Sequence, residues 1–149
     1  MVRNRIAVLH GVNLAALDRR PAQHYGGLTF AQLEVQITNF AHDLGLVPRF
    51  FQTDHEGEFV QELHKAGDFA DGLVLNPGAW THYSWAIRDA LEVSDLPAVE
   101  VHLSDVRSRE QWRRHSVLEG LVAATVSGRG VGGYRDALAS LRDVLEGST

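Results

Sequence analysis

The sequence predicts an α/β domain built on a parallel sheet. Short apolar runs alternate along the chain with segments whose apolar residues have a helical spacing. Glycine, proline or asparagine residues follow several of the apolar runs, as expected where strands end. Because alternating strands and helices form parallel sheets with right-handed crossovers, we expect one five-stranded sheet between two layers of helices. The length of 149 residues fits a single domain, residues 1–149.

Five strands are predicted where the apolar runs lie, and four helices between and after them. The strands are predicted at residues 6–9, 47–52, 73–76, 98–103 and 121–126. The helices are predicted at residues 29–44, 59–65, 81–91 and 134–145. Thr29 is expected to open the first helix and Gly45 to follow its end, while Thr81 is expected to cap the helix that starts at His82.

Residues 14–27 show neither a helical nor a strand period, and they end in Gly26 and Gly27. Polar loops of this length inside a compact domain are often lids or binding loops. We therefore expect this segment to form a lid over the end of the first strand.

For a chain of this size the strand order 2-1-3-4-5 of a flavodoxin-like, three-layer fold is expected. This order brings together the carboxyl ends of the first, third and fourth strands, where ligands bind in open α/β sheets. Asn13, Asn76 and His102 should converge there. The alternative is that Asn76 only satisfies the backbone of the Pro-Gly turn and that His82 is an ordinary polar residue.

The composition excludes several classes of function. A net charge of −5 argues against a nucleic-acid groove. The absence of cysteine excludes disulfides, thiolate catalysis and cysteine metal sites. The single lysine, Lys65, lies in a polar stretch, so a Schiff-base mechanism has no good candidate. The apolar run at residues 6–9 is too short for a signal peptide or a membrane span, so we expect a cytoplasmic protein that does not bind a membrane.

Two apparent ligand-binding patterns are set aside. Residues 128–133 match G-x-G-x-x-G, but the chain ends too early for the strand and acidic residue that dinucleotide binding needs. This segment is expected to be a tight turn with close helix–sheet packing. The eight histidines include no recognisable metal-ligand spacing, so no metal site is predicted.

The remaining polar residues suggest acid/base chemistry on an anionic substrate. A guanidinium beside a phenol favours the phenolate form, so Arg20 can make Tyr25 a base. Glu100, two residues before His102, can orient the imidazole that protonates a leaving group. These residues point to removal of a proton α to a carbonyl with loss of a β-hydroxyl. The alternative is that Tyr25 packs the loop and His102 is a core histidine.

Arginines cluster in two segments that the fold is expected to bring near this site. Arginine forks suit carboxylates and phosphates, so a small anionic ligand is expected. Several of them are also expected to be solvated surface charges. The clustered arginines are Arg19 and Arg20 in the early loop, and Arg107, Arg109, Arg113 and Arg114 after the fourth strand.

Several segments of the sequence form recognisable motifs. They are Leu9 to Leu14, Arg20 with Tyr25-Gly26, Gln52 to Glu58, Asn76 to His82 with Ser84, Arg88 to Leu91, Glu100 to Ser104, Arg109-Glu110 with Arg113 to Ser116, and Gly132 to Tyr134. Two of these motifs, Asn-Pro-Gly-Ala-x-Thr-His and Glu-Val-His-Leu-Ser, are highly specific together. With these motifs the sequence resembles the type II 3-dehydroquinate dehydratases over essentially its full length.

The resemblance implies a flavodoxin-like enzyme that converts 3-dehydroquinate to 3-dehydroshikimate without a cofactor. By position, Tyr25 corresponds to the base and Arg20 to the lid arginine that tunes it. Asn13 corresponds to a residue that holds the water stabilising an enolate. His102 corresponds to the general acid, supported by Glu100.

The resemblance also implies a substrate-binding set and an assembly, usually a dodecamer of trimers. Asp89 matches a residue that reaches the site of a neighbouring subunit. The other residues of the implied binding set are Asn76, His82, Leu103, Ser104 and Arg113.

This chain departs from the family mainly around the lid. The family usually reads Asn-Gly-Pro-Asn-Leu-Asn where residues 10–15 read His-Gly-Val-Asn-Leu-Ala. A usual glycine is Asp18, and the lid proline stands one position early, at Pro21. Asp105 and Arg107 replace a common asparagine and histidine. The proposed proton-transfer residues are all retained.

Two other functions remain open at this stage. A non-catalytic paralogue would keep the pocket as a binding module for a small carboxylate. A flavodoxin-like phosphate or flavin binder is disfavoured because no phosphate-binding loop follows the first strand. The sequence also leaves open a biosynthetic role toward shikimate and aromatic amino acids, or a catabolic role from quinate.

Overall fold

The sheet has five parallel strands in the computed structural model, which describes residues 2–147. The strands are β1 (Arg5–His10), β2 (Val47–Gln52), β3 (Gly72–Asn76), β4 (Ala98–Val101) and β5 (Ala124–Val126). They lie in the order β2-β1-β3-β4-β5, and all four neighbouring pairs are parallel. The predicted fold class and strand order are confirmed.

Helices cover both faces of the sheet. The α-helices are α1 (Ala22–Tyr25), α2 (Phe30–Asp43), α3 (Glu56–Lys65), α4 (Trp85–Ser94) and α5 (Gly132–Gly147). Short 3-10 segments occupy Leu14–Arg19, Ala66–Asp68, Gly78–His82, Val106–Ser108 and Gln111–Arg114.

The central strands are mostly apolar because both of their faces are buried. In β1, Ile6 and Val8 pack in the cluster that contains α2 and α5 residues. Ala7 and Leu9 pack in the opposite cluster, with residues of α3 and α4. Burial of an isoleucine or leucine side chain stabilises a fold by roughly 1.5–3 kcal/mol, so these alternating contacts hold the strand in register.

One predicted helix cap is confirmed and one is wrong. Thr29 Oγ1 accepts a hydrogen bond from the Gln32 amide at 3.1 Å, and the Gln32 side chain accepts from the Thr29 amide at 2.9 Å, which forms a capping box. Thr81, in contrast, does not cap α4. That helix begins at Trp85, and Ser84 Oγ caps it by accepting from the Ile87 amide at 3.1 Å.

The segment predicted to lack regular structure contains two short helices. Residues 14–19 form a 3-10 segment and Ala22–Tyr25 forms α1. Leu14 and Leu17, three residues apart, are buried in the core and anchor the first of these helices. The prediction of an irregular loop was therefore wrong, because so short an amphipathic pattern gives little periodic signal.

Several element boundaries differ from the prediction. Strand β5 begins at Ala124 rather than at residue 121, because the amides of Leu121 and Val122 bond to the Leu118 carbonyl in a turn. The glycine-rich segment 128–133 leads into α5, and a Cβ at Gly133 would lie 3.3 Å from Val126 Cγ1. This contact agrees with the predicted close helix–sheet packing.

Within residues 2–147, no helix combines the length and the apolar character that a bilayer span requires.

Candidate active site

A cavity of about 110 Å³ lies at the carboxyl ends of β1, β3 and β4. The cavity lies at the strand ends where an α/β sheet binds its ligands. Asn13, Asn76 and His102 converge there as the strand order predicted. The cavity is lined by Asn13, Leu14, Leu17, Arg20, Tyr25, Asn76, Gly78, Ala79, His82, His102, Leu103, Ser104, Val106, Arg109 and Arg113.

Two loops meet backbone to backbone beside the cavity, and each needs a glycine. A Cβ at Gly11 would lie 2.2 Å from the Pro77 carbonyl oxygen. A Cβ at Gly78, which has φ of +67°, would lie 2.6 Å from the Val12 carbonyl oxygen. Larger residues would push the loops apart, so these glycines fix the spacing between the ends of β1 and β3.

Asn13 has a left-handed backbone conformation, with φ of 70°. Its amide donates a hydrogen bond to Asp54 Oδ1 at 2.8 Å. Asp54 also accepts from the Gln52 side chain at 3.2 Å. Asparagine tolerates this conformation better than most residues, and the carboxylate holds it at the cavity edge.

Two arginines converge on the hydroxyl of Tyr25. Arg20 Nη2 donates to Tyr25 Oη at 2.6 Å, and Arg109 Nη1 donates to the same oxygen at 2.6 Å. The Arg20 guanidinium also lies 4.3 Å from the centre of the Tyr25 ring. Two charged donors on one phenol oxygen stabilise negative charge there.

The sequence did not single out Arg109 from the arginine cluster. Its side chain is only 8% exposed, and Nη1 also lies 3.3 Å from Ser104 Oγ. Its partner Tyr25 is 84 residues away in the chain. The available signal was the arginine cluster after the fourth strand, but Arg107 and Arg114 in that cluster are exposed and do not line this cavity.

His102 is held by the buried carboxylate of Glu100. His102 Nε2 donates to Glu100 Oε2 at 2.6 Å, which leaves Nδ1 as the other ring position. Ser116 Oγ lies 2.8 Å from Glu100 Oε1, and the Thr81 hydroxyl donates to Glu100 Oε2. The predicted pairing of Glu100 with His102 is present. The Thr81 hydroxyl, which was expected to cap a helix, instead donates a hydrogen bond to the Glu100 carboxylate.

The charge of Glu100 depends on these hydrogen bonds. Burial raises the pKa of Glu100. The hydrogen bond from His102, the charge of His102, and the hydrogen bonds from Thr81 and Ser116 lower it. Together they outweigh burial, so the pKa of Glu100 lies below its ordinary value. Glu100 is therefore an anion at neutral pH. A buried anion beside Nε2 fixes the orientation of the His102 ring and the nitrogen that faces Glu100.

His82 lies next to His102 at the wall of the cavity. The two rings are stacked with their centres 6.3 Å apart, and His82 Nδ1 donates to the His115 carbonyl at 2.7 Å. Partial burial lowers the pKa of His82 despite that bond. A neutral ring with Nδ1 protonated leaves Nε2 as an acceptor for a hydroxyl group.

The other predicted site residues separate into two groups. Leu103, Ser104 and Arg113, which belong to the implied binding set, line the cavity. Asp89 is exposed on α4 and does not line it. Trp80, within the Asn76 to His82 motif, is 6% exposed and packs against Phe59 in the core.

A second, open groove of about 700 Å³ lies on the other side of the histidine pair. His82, His102, Val106 and Arg113 line both spaces, so they form the boundary between them. Glu100 lines the groove rather than the cavity.

Two buried side chains, Tyr134 and His10, lie behind Asn76, and sequence reasoning did not connect them with it. Tyr134 Oη accepts from Asn76 Nδ2 at 3.0 Å and lies 2.8 Å from His10 Nε2. His10 and Tyr134 are fully buried. Burial lowers the pKa of His10 to about 3 and raises that of Tyr134, so both groups are neutral at neutral pH.

The buried His10 should make the protein acid-sensitive. The ordinary pKa of histidine is 6.5, so between pH 6.5 and about 3 the unfolded chain binds a proton that the folded chain does not. This group therefore costs no stability above pH 6.5, and its cost grows as the pH falls. We expect the free energy of unfolding to fall by about 1 kcal/mol more between pH 7 and 5.5 in the wild type than in His10→Gln, as measured by urea titration. Parallel pH profiles of the two proteins would contradict this expectation.

Among residues 2–147, no group of three or more histidine, aspartate or glutamate side chains is arranged to hold a metal ion.

Comparison with known proteins gives one consistent result. The sequence profile of the family described as "Dehydroquinase class II" matches residues 4–142. The chain is 42% identical to the 3-dehydroquinate dehydratase of Pelobacter propionicus over 142 residues, which cover 95% of each chain.

Solved structures agree with this match. The type II dehydroquinase of Butyrivibrio crossotus has a TM-score of 0.88 at 37% identity, with 93% of this chain and 97% of that chain covered. The type II dehydroquinase of Propionibacterium acnes has a TM-score of 0.87 at 40% identity, with 96% and 98% covered. The resemblance inferred from the motifs is thus confirmed, and the chain belongs to the class II dehydroquinase family.

Proposed function

We propose that the protein is a hydro-lyase that dehydrates 3-dehydroquinate to 3-dehydroshikimate, using its single domain and no cofactor. The observation that carries this proposal is the shared cavity of Tyr25 and His102. One is a phenol held by two guanidinium groups, and the other is an imidazole held by a buried carboxylate. A base and an acid on one small cavity fit an elimination.

The first step is removal of a proton α to the carbonyl of the substrate. Tyr25 Oη takes this proton, and the electron pair moves onto the carbonyl oxygen to give an enolate. Arg20 and Arg109 stabilise the phenolate before the transfer. Asn13 lies at the cavity edge, where it can hold a water molecule against the enolate oxygen.

The second step is loss of the β-hydroxyl. The enolate re-forms the carbonyl as the C–O bond breaks, and His102 gives its proton to the departing oxygen, which leaves as water. Glu100 stabilises the imidazolium and holds the ring in place, since its carboxylate lies 2.6 Å from Nε2. The proton therefore leaves from Nδ1.

Substrate binding uses charged and neutral polar groups around the cavity. Arg113 suits the carboxylate of the substrate because its guanidinium can bind two oxygens. Asn76, His82 and Ser104 offer side-chain partners for hydroxyl groups, and Leu103 and Ser104 offer backbone amides.

An absorbance assay tests the proposed activity. Elimination creates a carbon–carbon double bond conjugated with the carbonyl, so ultraviolet absorbance should rise when the purified protein is mixed with 3-dehydroquinate alone. No rise, in a protein that binds 3-dehydroquinate by calorimetry, would identify a non-catalytic carboxylate-binding protein instead. A coloured, flavin-containing preparation would favour the flavin-binding alternative. The reaction fits either a biosynthetic pathway toward shikimate or the catabolism of quinate. We propose that the protein acts in the cytoplasm.

We also propose that the protein assembles as a dodecamer of trimers, with Asp89 reaching the site of a neighbouring subunit. Asp89 is exposed on α4. Trp85, four residues earlier on the same helix, is 61% exposed, and Tyr83, just before the helix, is 58% exposed. Large exposed aromatic side chains near a site favour association. Light scattering at micromolar concentration should give the mass of a dodecamer, and a monomer would contradict the proposal.

A further inference from the structure

Three buried side chains are joined by hydrogen bonds: Asn76 at the cavity wall, and Tyr134 and His10 behind it. His10 and Asn76 are direct neighbours at the ends of β1 and β3, and Tyr134 reaches both of them from α5. His10 and Tyr134 are completely inaccessible, and Asn76 is 4% exposed. Phe30 packs edge-on against the His10 ring at 5.1 Å between ring centres. The imidazole therefore has little freedom to move.

The donor and acceptor atoms of these three side chains determine which group donates in each hydrogen bond. Asn76 Nδ2 can only donate, so Tyr134 Oη accepts from it at 3.0 Å. Because Oη already accepts from Asn76, the buried phenol proton of Tyr134 needs an acceptor, and His10 Nε2 lies 2.8 Å away. We therefore assign the His10 tautomer that accepts at Nε2, with the ring proton on Nδ1, which has no hydrogen-bond partner among the described residues. Each bond in such a chain polarises the next and strengthens it.

The same hydrogen bonds determine the orientation of the Asn76 side-chain amide. An asparagine amide can rotate by half a turn and exchange its oxygen and nitrogen. Here the Gly78 amide donates to Asn76 Oδ1 at 3.2 Å, while Tyr134 Oη receives Nδ2. With its proton committed to His10, Tyr134 cannot donate to a flipped Oδ1. Only one orientation of the amide forms both the bond from the Gly78 amide and the bond to Tyr134 Oη. In that orientation the second hydrogen of Nδ2 is not used by either bond.

We propose that His10 is a positioning residue which acts through Tyr134 to hold the Asn76 amide in the orientation that binds the substrate. The inference rests on the proposed function, in which Asn76 binds a substrate hydroxyl. His10 does not line the cavity, so it acts without touching the substrate. Its imidazole replaces the asparagine usual in the family, which makes this arrangement a feature of the present chain.

Removal of the acceptor should weaken substrate binding without slowing the chemistry. In His10→Leu the phenol proton of Tyr134 is released, so the flipped amide becomes competitive. We expect KM to rise about three- to tenfold, as for a lost hydrogen bond, with kcat changed by less than about twofold. His10→Gln keeps an acceptor at a similar reach and should restore a near wild-type KM.

A double-mutant cycle separates positioning from general damage to the core. Tyr134→Phe removes the link between His10 and Asn76 and should raise KM by a similar factor. In the Tyr134→Phe background, His10→Leu should then add nothing, because its effect passes through the missing hydroxyl. Additive effects on KM, or an unchanged KM in His10→Leu, would overturn the proposal. If His10→Leu does not fold, an unchanged KM in Tyr134→Phe would overturn it equally.

Binding measurements keep this test separate from the test of the activity. The dissociation constant for 3-dehydroquinate can be measured by calorimetry in a Tyr25→Phe background, where turnover is not expected. A larger dissociation constant after addition of His10→Leu supports the positioning role, and an unchanged dissociation constant refutes it. An inactive wild type that shows this weakening would refute the proposed function alone.

Discussion

Replacement of Tyr25 by phenylalanine is expected to lower kcat by about 10²–10⁴-fold, the usual contribution of a general base. The substitution removes only the oxygen that receives Arg20 and Arg109, each at 2.6 Å, so the two guanidinium groups remain but no phenolate can form. Tyr25 is partly exposed on the short helix α1, so the fold should be unaffected. Steady-state rates from the absorbance assay, with circular dichroism as the check on folding, measure this effect.

Tyr83→Phe is the matched control for that variant. It removes the same hydroxyl group from a side chain that is 58% exposed and does not line the cavity. Its rate should equal that of the wild type. A well-folded Tyr25→Phe protein with near-normal turnover would exclude Tyr25 as the base.

Replacement of His102 by asparagine is expected to lower kcat to a similar extent, about 10²–10⁴-fold, because no acid then protonates the departing hydroxyl. The two variants should nevertheless differ in heavy water. Tyr25 acts before His102 in the proposed mechanism, so His102→Asn should still exchange the α proton of 3-dehydroquinate for deuterium, while Tyr25→Phe should not. Nuclear magnetic resonance of the recovered substrate measures this exchange.

His64→Asn, at an exposed histidine on α3, is the control for His102→Asn and should behave as the wild type in both assays. If His102→Asn lost exchange together with elimination, His102 would be required for proton removal as well. If Tyr25→Phe retained exchange, a different group would be the base. Each of these results would change the assignment of one named step.

Local patterns in the sequence were sufficient for the fold and for part of the site. The apolar runs of β1 and β3 predicted strands because both faces of each strand are buried. Thr29 predicted a helix start, and the structure adds its capping partner Gln32, three residues later. Arg20 and Tyr25, five residues apart, and Glu100 and His102, two apart, could be paired because each pair is close in the sequence. The motifs added the family, which the comparisons confirm.

The tertiary structure decided the contacts between residues that are distant in the sequence. Thr81 looked like a helix cap, but its hydroxyl donates to Glu100 on the neighbouring strand. Arg109 was one arginine among several until the fold placed it 2.6 Å from Tyr25 Oη. His10 meets its partner Tyr134 across 124 residues. A local pattern records which residues are buried and on which face, because burial follows the period of a helix or strand. The partner of a buried polar group depends on how the helices pack on the sheet, and distances across that packing leave no periodic signal in the sequence.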